Sequence, residues 1–298
     1  MTSVLFDAPG PRARVRYRIL AVLGVLALLG AIAYVVWRFY DSGQFDAKKW
    51  EWLQFKQVQE DLVDAVLATL QAFAVGAVLA LAFGAIFAAG RLSDHAWVRG
   101  VSVFVVELFR AIPLLILMFI FYYGLPVLGV KLTPYVSVVL GLMLYNGSVL
   151  AEVFRAGILA LPRGQGEAAY ALGMRKSQVM TFILIPQALR SMAPTIVSQL
   201  VVLLKDTALG FLILYDELLH YAQFIGQQGT FGRPFVATTI VVASMYITMC
   251  LLLTWLAHYL QKREKRSKKH LDVDSHQADN LVLVAGAGGG GGATGGTL

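Results

Sequence analysis

A single cysteine, Cys250, stands in a chain of 298 residues, so neither an intrachain disulfide framework nor a thiolate metal site can form within one subunit. It lies in an apolar stretch, where packing is its natural role. Charge is also sparse. Asp, Glu, Lys and Arg make up 14% of the residues, against the ~25% usual for soluble domains. The five histidines, His95, His220, His258, His270 and His276, show no ligand spacing with carboxylates or with the cysteine, which removes the usual basis for a metal centre or a metal-dependent enzyme. No Gly-Lys-Ser or Gly-Lys-Thr occurs anywhere. The glycine-rich end, Ala-Gly-Ala followed by a run from Gly288, therefore cannot act as a phosphate-binding loop. The sequence points to no catalytic residue and no cofactor.

What the chain has in abundance is apolar surface. Hydrophobic residues reach 58% and the mean hydropathy is +0.67, more than a single core can hide, so lipid must serve as a second apolar solvent. Uncharged stretches cover residues 19–37, 65–90, 111–130, 132–151 and 234–257. Each approaches the ~20 residues a helix needs to cross ~30 Å of hydrocarbon. A sixth, 191–215, is interrupted only by Lys205 and Asp206. The first stretch exceeds the usual 7–15 apolar residues of a signal peptide, and is read as a retained signal anchor. The expected fold class is all-α integral membrane, with about six transmembrane helices.

Lys and Arg set the orientation, because short loops rich in them stay in the cytoplasm. With the N-terminus inside, cytoplasmic segments hold seventeen of the 25 and outer segments five, namely Lys48, Lys49, Lys56, Lys131 and Arg233. Both termini are expected in the cytoplasm. The net charge of +7 is then largely a topology signal and gives no support to nucleic acid as a partner.

Three regions follow. Residues 1–60 form a basic arm, the anchor helix and a short external segment whose Trp50 and Trp52 suit the outer membrane interface. Residues 61–262 form the membrane domain. Residues 263–298 form a tail, basic and then Gly-rich, and from residue 271 its composition gives too little apolar surface to order itself. Within the second span Gly76, Ala80, Gly84 and Ala88 recur every four residues, a stripe for close helix packing. Glu107 and Arg110 share a helical face just before Pro113. They sit at the mouth of a span that starts near residue 111, or are sunk in one that starts near Val98.

One loop stands out. Glu167-Ala168-Ala169-Tyr170-Ala171-Leu172-Gly173 is followed, nine residues later, by Ile183-Leu184-Ile185-Pro186. It lies on the basic, cytoplasmic side, where residues 167–180 are rich in helix formers. Small side chains there would let a soluble partner come close to the backbone, and an ordinary solvated helix fits equally well. The pattern resembles the Glu-Ala-Ala signature of the permeases of binding-protein-dependent ABC importers. It departs only in having Ile185 where the family has Leu. Glu107–Leu115, Ala151–Ile158, Ile185–Arg190 and Leu203–Thr207 further resemble the polar amino acid branch, the glutamate-uptake permeases most of all, over residues 60–262.

The resemblance implies a type I ABC importer permease fold, with a cytoplasmic coupling helix that includes Glu167, Ala168, Ala169, Gly173 and Pro186 and seats in an ATPase. It also implies the partners: two cytoplasmic ATPase subunits, a second permease subunit that is a copy or a homologue, and an extracytoplasmic binding protein, all at the plasma (inner) membrane. ATP hydrolysis then belongs to a separate subunit, and this chain is no enzyme. The cargo is a polar amino acid, with glutamate ahead of glutamine or arginine. An ion-coupled secondary transporter is the rival reading, and such proteins tend to carry internal repeats that this chain lacks.

Lys205 and Asp206 matter apart from any family, because a charge in mid-span costs ~2.5–3.5 kcal/mol and adjacent helical residues point ~100° apart. They cannot simply neutralise each other. Either they line the translocation path, together with Thr207, Asn146 and Tyr145, or they pair with neighbouring helices.

Overall fold

The computed structural model describes residues 10–287, and among these the chain is helical, without strands. The helices are α1 (Pro11–Asp41), α2 (Lys56–Arg91), α3 (Ala96–Ala111), α4 (Leu114–Phe119), α5 (Pro134–Leu159), α6 (Arg163–Ala171), α7 (Lys176–Gln178), α8 (Ile185–Asp206), α9 (Leu218–Gly226) and α10 (Phe235–Ala287). The described residues fall into two compact units, one reaching Asp64 and including Tyr221–Val242, the other Ala65–His220 with residues from Ala243 onward.

The first unit has a small core of its own. Trp52, expected at the membrane interface, is instead 1% exposed and packs with Val58 and Ile225 under Leu53, Tyr221 and Phe231. Tyr221 donates to the carbonyl of Val58 at 3.2 Å. Burying an indole removes a large apolar surface from water, which is why this short segment between α1 and α2 holds its shape. α1 is exposed from Arg14 to Asp41.

The second unit is a helix bundle around Ala72, Ala80, Leu114, Met118, Val138, Leu142, Leu150, Leu203 and Ile213. The small-residue stripe of α2 faces α5, as a packing stripe should. A Cβ placed on Gly84 would stand 3.1 Å from the carbonyl oxygen of Gly147, and one on Gly147 would stand 3.1 Å from that of Ala80. Only glycine at both positions lets the two backbones come so near.

α1, α2, α5, the run Lys176–Ile213 and Phe235–Tyr259 are each long and apolar enough to cross a bilayer, and Ala96–Ala111 with Leu114–Leu128 makes a further pair bent by 96°. The sequence predicts a plain span over 111–130. The break comes from Pro113, which lacks an amide hydrogen and holds Ile112 extended at φ −87°, ψ 125°. The bent pair nevertheless counts as one crossing. Lys176 donates to the carbonyl of Leu92 at 3.0 Å, so the loops after α2 and after α5 share one side. An even number of crossings must separate them, and α5 supplies one.

α10 passes residue 262 without a break and continues to Ala287. Gln, Lys, Arg and Glu fill residues 261–266, and straight-chain residues lose little rotamer freedom in a helix. The glycine run from Gly288 lies outside the described residues.

Candidate functional site

Polar chemistry gathers at the loop after α5 and at the contact of α5 with α8 inside the bundle, and also at Glu217, a fully buried carboxylate that accepts from Tyr246 Oη at 2.6 Å.

The loop helix is shorter than residues 167–180. α6 begins directly after Pro162 and ends at Ala171, because Gly173 takes φ +80° and closes the helix. The amide of Gly173 donates to the carbonyl of Tyr170 at 2.9 Å and that of Met174 to the carbonyl of Ala169 at 3.2 Å, the left-handed stop that glycine favours. Glu167, Ala168 and Gly173 are exposed, while Ala169 is buried against the subunit itself. Leu172 is 84% exposed and Tyr170 50%, a large apolar display on a loop of this polarity. After α7 comes a wide turn, Val179–Leu184, with Pro186 in the first turn of α8. The missing amide and the ring of proline account for the widening.

Lys176 fastens this loop. Besides Leu92, its ammonium pairs with Asp94, and this holds the Asp94 carboxyl below its ordinary value. Next to it lies a charged network that the sequence showed only in fragments. The Arg91 side chain, 10% exposed, lies 3.2 Å from Glu107 on α3 and 3.2 Å from Glu152 on α5. Arg110 adds a contact to Glu107 at 3.5 Å, and Arg155 grips Glu152 through two nitrogens. Glu107 and Arg110 therefore belong to a helix end tied to its neighbours. Arg91, counted in the sequence only as a topology charge, is the hub.

Inside the bundle, Asn146 on α5 is fully buried, and its amide nitrogen donates to Asp206 Oδ2 at 3.2 Å. The Asn146 oxygen in turn accepts from Gln199 Nε2 at 2.8 Å. Gln199 and Asp206 lie two turns apart on α8 and grasp the same amide. Gln199 was missed from the sequence, where one uncharged polar residue in an apolar span is unremarkable. Lys205 is exposed and forms no ion pair with Asp206 or with any other described residue. Thr207, buried, donates to the carbonyl of Leu204 at 2.7 Å and closes the end of α8. Tyr145 is half-buried against the main apolar core. The structure thus brings together Asn146 and Asp206, adds Gln199, and leaves Lys205, Thr207 and Tyr145 outside that cluster. Among the described residues no group of His, Cys, Asp or Glu could hold a metal ion.

Residues 80–266 match the family described as binding-protein-dependent transport system inner membrane component. The chain is 37% identical to the glutamate transport system permease protein GluD of Corynebacterium glutamicum, over 77% of this chain and 85% of that one. It is 34% identical to the probable glutamine ABC transporter permease protein GlnP of Bacillus subtilis, over 68% and 93%. Among solved structures it resembles an amino acid ABC transporter with a TM-score of 0.64 and 26% identity, over 71% of this chain and 98% of that one. The chain belongs to the inner membrane permease family of binding-protein-dependent transport systems.

Proposed function

We propose that this subunit conducts a polar amino acid, glutamate foremost, inward across the membrane under the drive of ATP hydrolysed by partner subunits. Support for the cargo comes from the relatives: GluD is named for glutamate, and a 33% identical relative from Rhodobacter capsulatus for glutamate, glutamine, aspartate and asparagine. The full assembly is two ATPase subunits, this chain, a second permease subunit and an extracytoplasmic binding protein, with both termini of this chain in the cytoplasm.

The observation that carries the reading is the Asn146–Asp206 contact at 3.2 Å, a carboxylate held by one oxygen at the meeting of two spanning helices. Charged groups within spans mark substrate or ion pathways, and an amino acid's ammonium complements that carboxylate. Lys205, exposed and unpaired, is the counterpart for a substrate carboxylate. On the cytoplasmic side α6 presents Glu167, Ala168, Tyr170, Leu172 and Gly173 outward, a surface for the ATPase to grip. Lys176 and the Arg91 network tie that surface to α2, α3 and α5, giving motion at the loop a rigid route into the bundle.

The test is uptake of labelled glutamate by the complex in proteoliposomes, with loaded binding protein outside and ATP inside. ATP-dependent uptake is expected. Uptake that ignores ATP and follows an imposed proton or sodium gradient would overturn the reading in favour of a secondary transporter.

A further inference from the structure

We infer that Gln199 is a positioning residue for substrate, setting the direction of the Asn146 amide so that Asp206 is held by one oxygen and offers the other to an ammonium group; this rests on the reading of Asp206 as part of the path. An asparagine amide has one acceptor end and one donor end. At a fully buried site, water does not compete for either, so the protein neighbours decide which end points where. Gln199 Nε2 lies 2.8 Å from Asn146 Oδ1, which fixes the acceptor end toward Gln199. The donor end is thereby turned to Asp206 Oδ2 at 3.2 Å. Reversed, the amide would set its carbonyl dipole against a carboxylate. Among the described residues no side chain or backbone amide donates to Asp206 Oδ1.

The seven-residue spacing is what makes this possible. Gln199 and Asp206 fall on one face of α8 about two turns apart, and the Asn146 side chain enters from α5 between them. Gln199 never needs to touch the cargo. Its donor end holds Asn146, Asn146 holds one carboxylate oxygen, and the second oxygen is left with a fixed direction. A preset acceptor avoids the ordering cost of orienting the carboxylate when the ammonium arrives.

Two substitutions of similar length separate orientation from packing. Gln199→Met keeps the length and removes the carboxamide, whose donor end is the part bonded to Asn146. Gln199→Glu replaces the donor with an acceptor, which repels Asn146 Oδ1 and competes with Asp206 for the one donor end of the Asn146 amide. In the reconstituted complex at saturating loaded binding protein, Gln199→Met should slow uptake about ten-fold, the order expected for losing a hydrogen bond that acts on a charged group. Gln199→Glu should slow it further. In both, the concentration of binding protein giving half-maximal uptake stays unchanged, and so does thermal stability in the Met variant. Adding Gln199→Met to Asn146→Ala should cost nothing more, because the group being oriented is already gone.

Wild-type uptake in both single variants would overturn the inference, and so would slowing in proportion to lost stability, or an additive double variant. The failure of the underlying reading looks different. If Asp206→Asn transports normally, the site itself is wrong. If Asp206→Asn is inactive while Gln199→Met and Gln199→Glu are normal, only the role of Gln199 falls.

Discussion

The ammonium of Lys176 pairs with the carboxylate of Asp94 across 82 residues of sequence, and so joins the loop that carries α6 to the turn between α2 and α3. Lys176→Met should leave the subunit inserted and assembled while lowering the amount of amino acid moved per ATP hydrolysed, roughly two- to five-fold, an exposed pair being a modest tie. Paired measurements of uptake and phosphate release check this, and an unchanged ratio would show that the tie is not used.

The same pair makes a statement about pH. Asp94 has its carboxyl lowered by the hydrogen bond from Lys176, below the ordinary 3.8. A depressed carboxyl contributes stability above its unfolded value and loses it only as pH falls through the folded one. Lys176→Met should therefore change the level of uptake but not its shape between about pH 5 and about pH 8. A titration in that range that vanishes with the substitution would contradict the assignment.

Arg91 serves two carboxylates at once, Glu107 and Glu152, each at 3.2 Å. Arg91→Met leaves both facing each other with less cation between them. Removing one partner of a buried pair costs ~3–5 kcal/mol, and the half-exposure of Glu107 brings the expectation here to about 1–3 kcal/mol. Thermal unfolding of the purified complex measures it. Arg91→Lys should recover only part, since one ammonium lacks the guanidinium's fork.

Gly173 separates conformation from docking. Its φ is +80°, so any side chain strains the turn, yet a Cβ there would meet nothing within 4 Å. Asn tolerates this conformation best. Gly173→Asn should keep most uptake, whereas Gly173→Trp, whose Cβ has open space but whose side chain strains the turn further, should abolish coupling as its bulk reaches the face offered to the ATPase. Equal activity in both variants would remove the docking role from this residue.

The legible parts of this molecule were those where a single residue violates its surroundings. Asp206 and Asn146 stood out because polar groups in lipid are costly, and the membrane class followed from apolar runs alone. What stayed hidden depends on contacts distant in sequence. Gln199 acquires meaning only when Asn146, 53 residues away, lies 2.8 Å from it. Arg91 looked like a loop charge until α3 and α5 brought two carboxylates to it. Pro113 was visible, but the continuous apolar run around it hid the fact that α3 and α4 meet at 96°. In the sequence Gly173 suggests room for a partner, whereas its conformation also ends α6 at Ala171, nine residues before Met180.

In the proposed path Asp206 receives the amino acid on its way through the subunit. Asp206→Asn keeps size and hydrogen-bonding ability but removes the charge, and a charge-assisted contact is roughly twice as strong as a neutral one. The measurement is uptake by reconstituted complex at equal protein load, with thermal stability followed in parallel. The account predicts uptake reduced at least about ten-fold with stability retained; uptake at the wild-type rate would contradict it.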